Sequence, residues 1–353
     1  MCMKKKLIVF SFLCLVIACK ETKKEEDQKV DATIQIQEHS DITSKFSIEI
    51  FDDAAKELID ANAKIEILAS GFDWTEGPLW IADGNYLLFS DIPNNKVYKL
   101  NTQNDTVTYL YPSGFSGTDF TGQEPGSNGL LLSPEGDLIL MQHGNRSVSK
   151  MNATLDNQKE DYISLVATYK DKRLNSPNDG VFDTEGNLYF TDPPYGLPGQ
   201  INDPEKELDF QGVYCLKTSG ELSLLDSTIK YPNGIGVSKD GKKLYVAASN
   251  PEKAAWYVYD IVAPGKVKNR SLFTDVTHLV GKEGQQGLPD GLKVHSSGII
   301  FATGPGGVWI FDVRGEVLAR IHTGQKTANC AFDTYEKRLF ITADDYILSV
   351  NLK

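Results

Sequence analysis

Short apolar runs separated by Gly, Asn and Asp recur through most of the chain, and long stretches of helical period are missing. A turn signal leading into an apolar strand is found six times, at residues 83–89, 135–140, 185–190, 240–246, 297–301 and 336–341, as in Glu185-Gly186-Asn187-Leu188-Tyr189-Phe190. A second element rich in β-branched and aromatic residues follows each one, at 97–100, 148–151, 213–216, 257–259, 308–311 and 347–350. Two elements kept in the same order, in units of roughly 40 to 65 residues, fit four-stranded propeller blades and not helical repeats. Only the stretch from about Asp53 to Ala61 reads as helical. The pattern predicts an all-β chain folded as a six-bladed β-propeller over residues 48–353. Lys64-Ile65-Glu66-Ile67-Leu68, ahead of the first blade, is expected to pair with the last one and close the ring, leaving no open sheet edge.

A further regularity separates a propeller from a pair of β-sandwiches. Eight positions before the turn residues Gly84, Gly136, Gly186, Gly241, Gly298 and Lys337 stand Glu76, Asn128, Asn178, Asn233, Asp290 and Asn329. Each carries a side-chain oxygen and precedes the apolar strand that enters the turn. The first strand of a blade lines the central channel, so equivalent positions form a circle around the axis. Two carboxylates and four amides then converge on a central metal site. Hard oxygen donors with a charge of −2 suit Ca²⁺, with Mg²⁺ or Mn²⁺ next and Zn²⁺ less suited, since no Cys or His occupies the ring. Asn and Asp also start strands and satisfy turns, which is the structural alternative for these positions. The long connections 111–127, 192–211 and 274–289 are expected to emerge on the ring side, where sites on a rigid scaffold are usually built.

Composition narrows the partners. The 353 residues carry 36 Lys plus Arg against 48 Asp plus Glu, with 41% hydrophobic residues, enough for a sizeable core. The net charge of −12, without a Lys/Arg block in the body, argues against nucleic acid. At the N-terminus Lys4-Lys5-Lys6 precedes an apolar run to Ala18 and then Cys19, the layout of an export signal. Leu15-Val16-Ile17-Ala18-Cys19 resembles a bacterial lipoprotein lipobox, which implies removal of residues 1–18 and lipidation of Cys19. Loss of three lysines and no acid then takes the charge from −12 to −15. Residues 19–47 are polar enough to act as a flexible tether. The expected location is the bacterial cell envelope, held to the membrane by lipid. Lys20, in place of an Asp, favours the outer membrane. Cys215 and Cys330 read as small buried hydrophobes.

Glu76-Gly77-Pro78-Leu79-Trp80, Asn175-Ser176-Pro177-Asn178-Asp179-Gly180, Tyr231-Pro232-Asn233-Gly234 and Leu288-Pro289-Asp290-Gly291-Leu292-Lys293 closely resemble the SMP-30/gluconolactonase family. Gln142-His143-Gly144-Asn145-Arg146, Thr191-Asp192-Pro193-Pro194-Tyr195-Gly196 and Ala302-Thr303-Gly304-Pro305-Gly306-Gly307-Val308-Trp309 support the match, which runs from about residue 64 to the end. The resemblance implies a six-bladed propeller with a divalent metal on its axis, acting on lactone esters. Carried over residue by residue, Glu76, Asn233 and Asp290 match metal ligands, and Asn178 matches a position that contacts metal or substrate. Asp290 also matches the carboxylate credited with activating water. In animal members an Arg near the third-blade Asn contacts substrate. Here Ser176 and Pro177 stand there and the nearest Arg is Arg173, so substrate identity does not carry over.

The chemistry these residues support is hydrolysis of a small-molecule lactone related to a sugar acid, by carbonyl polarisation and a carboxylate-activated water. Asn128, His143, Arg173, Asp192, Tyr195 and Asn329 are candidates for binding substrate or backing the ligands. His143 reads first as a His hydrogen-bonded between blades, and Asp192 as a strand-end turn maker. No HExxH, GxSxG or phosphate loop is present, and Gly304-Pro305-Gly306-Gly307 lacks the helix that an anion cradle needs. Two alternatives remain at this stage: a non-catalytic envelope propeller that binds a glycan or protein around structural calcium, and a phosphotriester or aryl-ester hydrolase at the same site.

Overall fold

A computed structural model describes residues 41–353. The export signal, Cys19 and most of the tether lie outside the described residues. Of the N-terminal unit Met1–Lys45, only residues 41–45 are described, with a helical turn at 41–43. The second unit, Phe46–Lys353, holds the blades.

Blade 1 runs Thr75–Ile81, Tyr86–Asp91, Lys96–Leu100, Thr106–Leu110, and blade 2 runs Ser127–Leu132, Leu138–Gln142, Ser147–Met151, Tyr162–Val166. Blade 3 is Gly180–Phe182, Leu188–Asp192, Gly212–Leu216, Leu222–Asp226, and blade 4 is Pro232–Val237, Lys243–Asn250, Lys253–Ala263, Lys266–Asp275. Blade 5 comprises Leu292–Val294, Ile300–Gly304, Gly307–Phe311 and Val317–His322; blade 6 comprises Thr327–Phe332, Arg338–Ala343 and Tyr346–Asn351. Every blade is antiparallel. The two repeated sequence elements are the second and third strands. The expected closure is present: Ile65–Ser70 pairs with the last strand, Ile65 opposite Val350 and Ser70 opposite Tyr346, so the final blade is built from both ends of the propeller.

Two features depart from the sequence reading. The helical stretch is a 3-10 helix, Asp53–Glu57, whose first turn is capped by Asp52 accepting from the Ala54 amide, and three more short 3-10 turns lie in loops. Ser47–Ile50 adds a fifth strand to the outside of blade 5, Ser47 opposite His322. That strand was not read because its four residues, alternating polar and apolar, give too short a signal against a polar flank.

The core is distributed as wedges between adjacent blades. Leu88 and Val97 pack with Leu130 and Leu140 between blades 1 and 2, and Tyr189 and Cys215 with Ile235 and Val246 between blades 3 and 4. Trp256 with Phe311 fills the wedge between blades 4 and 5. Phe301 and Phe332 meet edge-to-face at 5.1 Å between blades 5 and 6. Cys215 and Cys330 are both buried free thiols, held in blades 3 and 6 respectively.

The inner wall is stitched blade to blade. Ser90 Oγ donates to the Asn128 carbonyl at 2.8 Å, the Gly129 amide to the Asn178 carbonyl at 2.8 Å, and Thr191 Oγ1 to the Asn233 carbonyl at 2.7 Å. Ser249 Oγ donates to the Pro289 carbonyl, Thr303 Oγ1 to Ala328, and Thr75 Oγ1 to Asp344 across the closure. Each contact lies beside a ring residue. The scaffold therefore fixes the backbone that carries the candidate site.

Candidate metal centre and active site

The ring positions are shaped by a recurring irregularity. In blades 1, 2, 4 and 6 the first strand holds one extra residue against its neighbour, between Glu76 and Leu79, Ser127 and Leu130, Pro232 and Ile235, and Thr327 and Asn329. A bulge bends the strand and re-aims the side chain at that point. In blades 3 and 5 the ring residue sits just ahead of the regular strand, tied by Asn178 and Asp290 amides to the Thr191 and Thr303 carbonyls. Glycine follows the ring residue in four of the blades, as Gly77, Gly129, Gly234 and Gly291. A Cβ on Gly234 would come 2.1 Å from the Asp290 carbonyl, so a glycine is what allows the strands of blades 4 and 5 to approach this closely.

Five of the ring residues, Glu76, Asn128, Asn178, Asn233 and Asp290, line one pocket of about 530 Å³. Its walls come from the long connections, with Glu124 from 111–127, Tyr195 from 192–211, and Val280 and Leu288 from 274–289. Trp74 and Lys326 complete the mouth. The concentration of insertions on the ring side, read from the sequence, is what builds this cavity.

Asn329 is placed differently. It does not line the pocket; its Nδ2 donates to Glu76 Oε2 and to Asp179 Oδ2, both at 3.2 Å, and its Oδ1 accepts from Lys293 Nζ at 3.2 Å. Asp179 is a third carboxylate in the centre. It is buried, accepts from the Gly180 amide at 2.8 Å, and stands 3.8 Å from Lys293 Nζ. The sequence signal for Asp179 was present, since it fills the slot that is glycine in four other blades, yet Asn178-Asp179-Gly180 reads first as a turn.

The electrostatics of the pocket floor follow from burial. Desolvation pushes the Glu76 carboxyl up to about 8, reinforced by the Asp179 charge and opposed by the Gly77 amide, Asn329 and Lys293. Asp290 keeps contact with the pocket but is sunk deeply enough that desolvation is the largest cause raising its carboxyl well above the usual range. Glu76, Asp179 and Glu124 add to the rise. Asn128 Oδ1, Asn178 Oδ1 and Asp290 Oδ1 are buried without a hydrogen-bond partner among the described residues. Asn233 donates Nδ2 to Ser249 Oγ at 3.0 Å, which leaves its Oδ1 uncommitted.

Orphaned buried oxygens are costly unless something satisfies them. Here they are all hard donors converging beside two carboxylates whose protonation is driven chiefly by burial, with neighbouring carboxylates adding to it. That donor set fits a divalent cation of the calcium type. Among the described residues no cluster of three or more His, Cys, Asp or Glu suited to a metal is present; the fit at this centre depends on the amide oxygens.

The remaining candidates separate by position. Tyr195 brings its buried Oη beside Asn233, Ser249 and Asp290, with burial and the Asp290 charge raising its pKa. His143 is fully buried and stands behind the pocket wall, Nδ1 3.0 Å from Glu124 Oε2. Asp192 lies away from the pocket: it accepts from the Asn175 amide at 2.8 Å, positioning the segment that leads to Asn178, and burial pushes its carboxyl up to about 7. Arg173 is not brought to the pocket. It sits on an exposed two-stranded hairpin, Thr168–Tyr169 with Lys172–Arg173, its backbone amide bonded to Glu207 Oε2 at 2.7 Å. Glu124 and Ser249 went unread in the sequence, because neither occupies a repeated register.

A family model described as SMP-30/gluconolactonase/LRE-like region matches residues 74–345. A gluconolactonase from Zymomonas mobilis is 37% identical over 300 residues, 84% of this chain and 83% of that protein. The diisopropyl-fluorophosphatase of Loligo vulgaris is 29% identical over 180 residues, 48% of this chain and 55% of that one. Among solved structures, a gluconolactonase from Xanthomonas campestris aligns with a TM-score of 0.73 at 27% identity, covering 87% of this chain and 95% of that one.

Proposed function

This chain belongs to the SMP-30/gluconolactonase/LRE-like family, and from that premise we propose that it is a metal-dependent hydrolase that opens a lactone, with sugar lactones as the substrate class. The observation that carries this reading is the set of unpartnered oxygens on Asn128, Asn178 and Asp290, facing a pocket floored by Glu76.

Glu76, Asn178, Asn233 and Asp290 would hold the cation, Ca²⁺ in preference to Mg²⁺, Mn²⁺ or Zn²⁺ on the hardness and number of the donors. A divalent cation bound there supplies Lewis-acid polarisation of an ester carbonyl. Asp290 accepts the proton of the attacking water. Burial and the neighbouring carboxylates raise its proton affinity, which makes it a stronger base than an exposed aspartate. When the ring C–O bond breaks, the same carboxyl returns the proton to the departing alkoxide, and the product is a hydroxy acid. Ser249 fixes the Asn233 amide, Asn128 offers a further oxygen for substrate hydroxyls, and the Tyr195 hydroxyl is placed to donate to a substrate oxygen. Val280 and Leu288 shield one wall from water.

The test is hydrolysis of a panel of sugar lactones by the purified protein after EDTA treatment and again after Ca²⁺ is returned. Activity that vanishes and comes back supports the reading. Folded, Ca²⁺-saturated protein with no activity on any lactone would remove it. Phosphotriester hydrolysis at the same residues is the second reading, favoured by the partial likeness to diisopropyl-fluorophosphatase, and belongs in the same panel. We further propose that the protein is a lipoprotein of the bacterial envelope, anchored through Cys19, on the strength of its lipobox-like segment. Labelling with a fatty-acid probe, abolished by Cys19→Ser, checks this.

A further inference from the structure

A second hollow of about 460 Å³ adjoins the axial pocket, and the two share Glu124 and Tyr195. It is walled by the insertions 111–127 and 192–211 and by the start of blade 4. Its chemistry differs from that of the metal centre. Glu124 is the one charged residue lining it, and the polar groups are chiefly amides, Gln123, Gln200 and Asn202. None of these three amide side chains makes a hydrogen bond to the protein among the described residues. The rings of Tyr195 and Tyr231 lie nearly parallel, 6° apart in plane with centroids separated by 6.1 Å.

Amides both donate and accept, so three uncommitted ones match a ligand with many hydroxyl groups and no net charge. Aromatic rings such as that of Tyr231 pack against the C–H face of such a ligand. An anion is disfavoured by Glu124, and a purely apolar group would leave these exposed amides to water alone. We infer that this hollow is a glycosyl subsite, so that the substrate is a sugar lactone bearing a second, neutral sugar, with the lactone ring over Glu76 and Asp290 and the extra ring beside Tyr231, Gln123 and Asn202. The inference rests on the lactonase reading for the position of the lactone ring. It goes beyond that reading in assigning substrate length.

The experiment compares kcat/KM for D-glucono-δ-lactone and for the δ-lactone of cellobionic acid, using the full-length Ca²⁺-loaded protein and its Tyr231→Ala and Asn202→Ala variants. Wild type is expected to prefer the disaccharide lactone by about fivefold or more, mostly through KM, a ratio that one or two hydrogen bonds supply. Each variant should erase most of that preference and leave glucono-lactone turnover within about twofold of wild type, an allowance well under the effect of one lost hydrogen bond. Equal kcat/KM for the two lactones in wild type, or variants that lose both activities together, would overturn the subsite. If neither lactone is hydrolysed, the lactonase reading fails separately, and calorimetric titration with cellobionate and gluconate decides the subsite. Tighter cellobionate binding that Tyr231→Ala abolishes supports it. Equal binding of the two acids, or binding of neither, refutes it.

Discussion

Asn329 and Glu76 stand 253 residues apart in the chain, yet the Asn329 amide donates to the Glu76 carboxylate at 3.2 Å within the closed ring. The same amide nitrogen reaches Asp179 Oδ2 at 3.2 Å, so one neutral side chain from blade 6 separates two buried acids of blades 1 and 3. This explains why the sixth ring residue is drawn out of the pocket and made part of its support.

Removing that separator should be felt as stability and as ion affinity. Asn329→Leu takes a donor from both acids, and the loss of hydrogen bonds to buried charged groups costs about 2–4 kcal/mol. The expected result is a lower melting temperature together with weaker Ca²⁺ binding in a calorimetric titration. A variant that melts and binds like wild type would show that Asn329 is a passive filler.

Asp290→Asn tests the assigned base. Turnover should fall by about 10²- to 10⁴-fold, the usual worth of a positioned general base. In EDTA the variant should melt higher than wild type, because it removes a carboxyl whose charge is opposed by burial first and then by Glu76, Asp179 and Glu124. Retained activity sinks the assignment; lost activity with a lowered melting point in EDTA assigns Asp290 to structure instead.

The raised Glu76 pKa ties stability to pH and to the ion. Between its ordinary 4.5 and about 8, the folded metal-free protein holds a proton here that the unfolded chain has released. Stability without metal therefore falls as pH rises through that window. A cation binds the ionised form, so its stabilisation strengthens over the same range, reaching about 2.7 kcal/mol at a hundredfold excess over Kd. Melting curves at pH 5 to 9, with Ca²⁺ and with EDTA, should diverge as pH increases. Parallel curves would contradict the placement of Glu76 as a ligand.

Gly234→Ala probes the spacing of the inner strands. The added methyl would fall 2.1 Å from the Asp290 carbonyl, backbone against which it cannot relax by a rotamer change. Overpacking of this kind costs about 1–3 kcal/mol and should displace Asp290. The expected outcome is a reduced melting temperature and a larger proportional loss of lactonase activity. Unchanged activity at a reduced melting temperature would separate the strand spacing from the site.

The sixfold register of turn, strand and oxygen-bearing residue was legible because each blade repeats the same local solution, as Asn128 before Gly136 and Asn233 before Gly241 show. The closing strand at Ile65–Ser70 was legible because a propeller tolerates no open edge. Glu124 was not, since it lies on a connection whose path follows from packing and not from any local period, and Ser249, at the end of a blade 4 strand, shows its role only through its bond to Asn233. Arg173, the Arg nearest Asn178 in sequence, went to an exposed hairpin, because nearness along the chain does not fix direction in space.

What the sequence determined by itself is therefore the repeat, the ring and the metal-suited donor types, all of which follow from periodicity and side-chain chemistry. What the tertiary structure alone decided is the division within the ring. Five residues face a pocket, while Asn329 turns inward to part Glu76 from Asp179. That choice depends on the distances between buried charges brought together from different blades, and such distances exist only once the circle has closed.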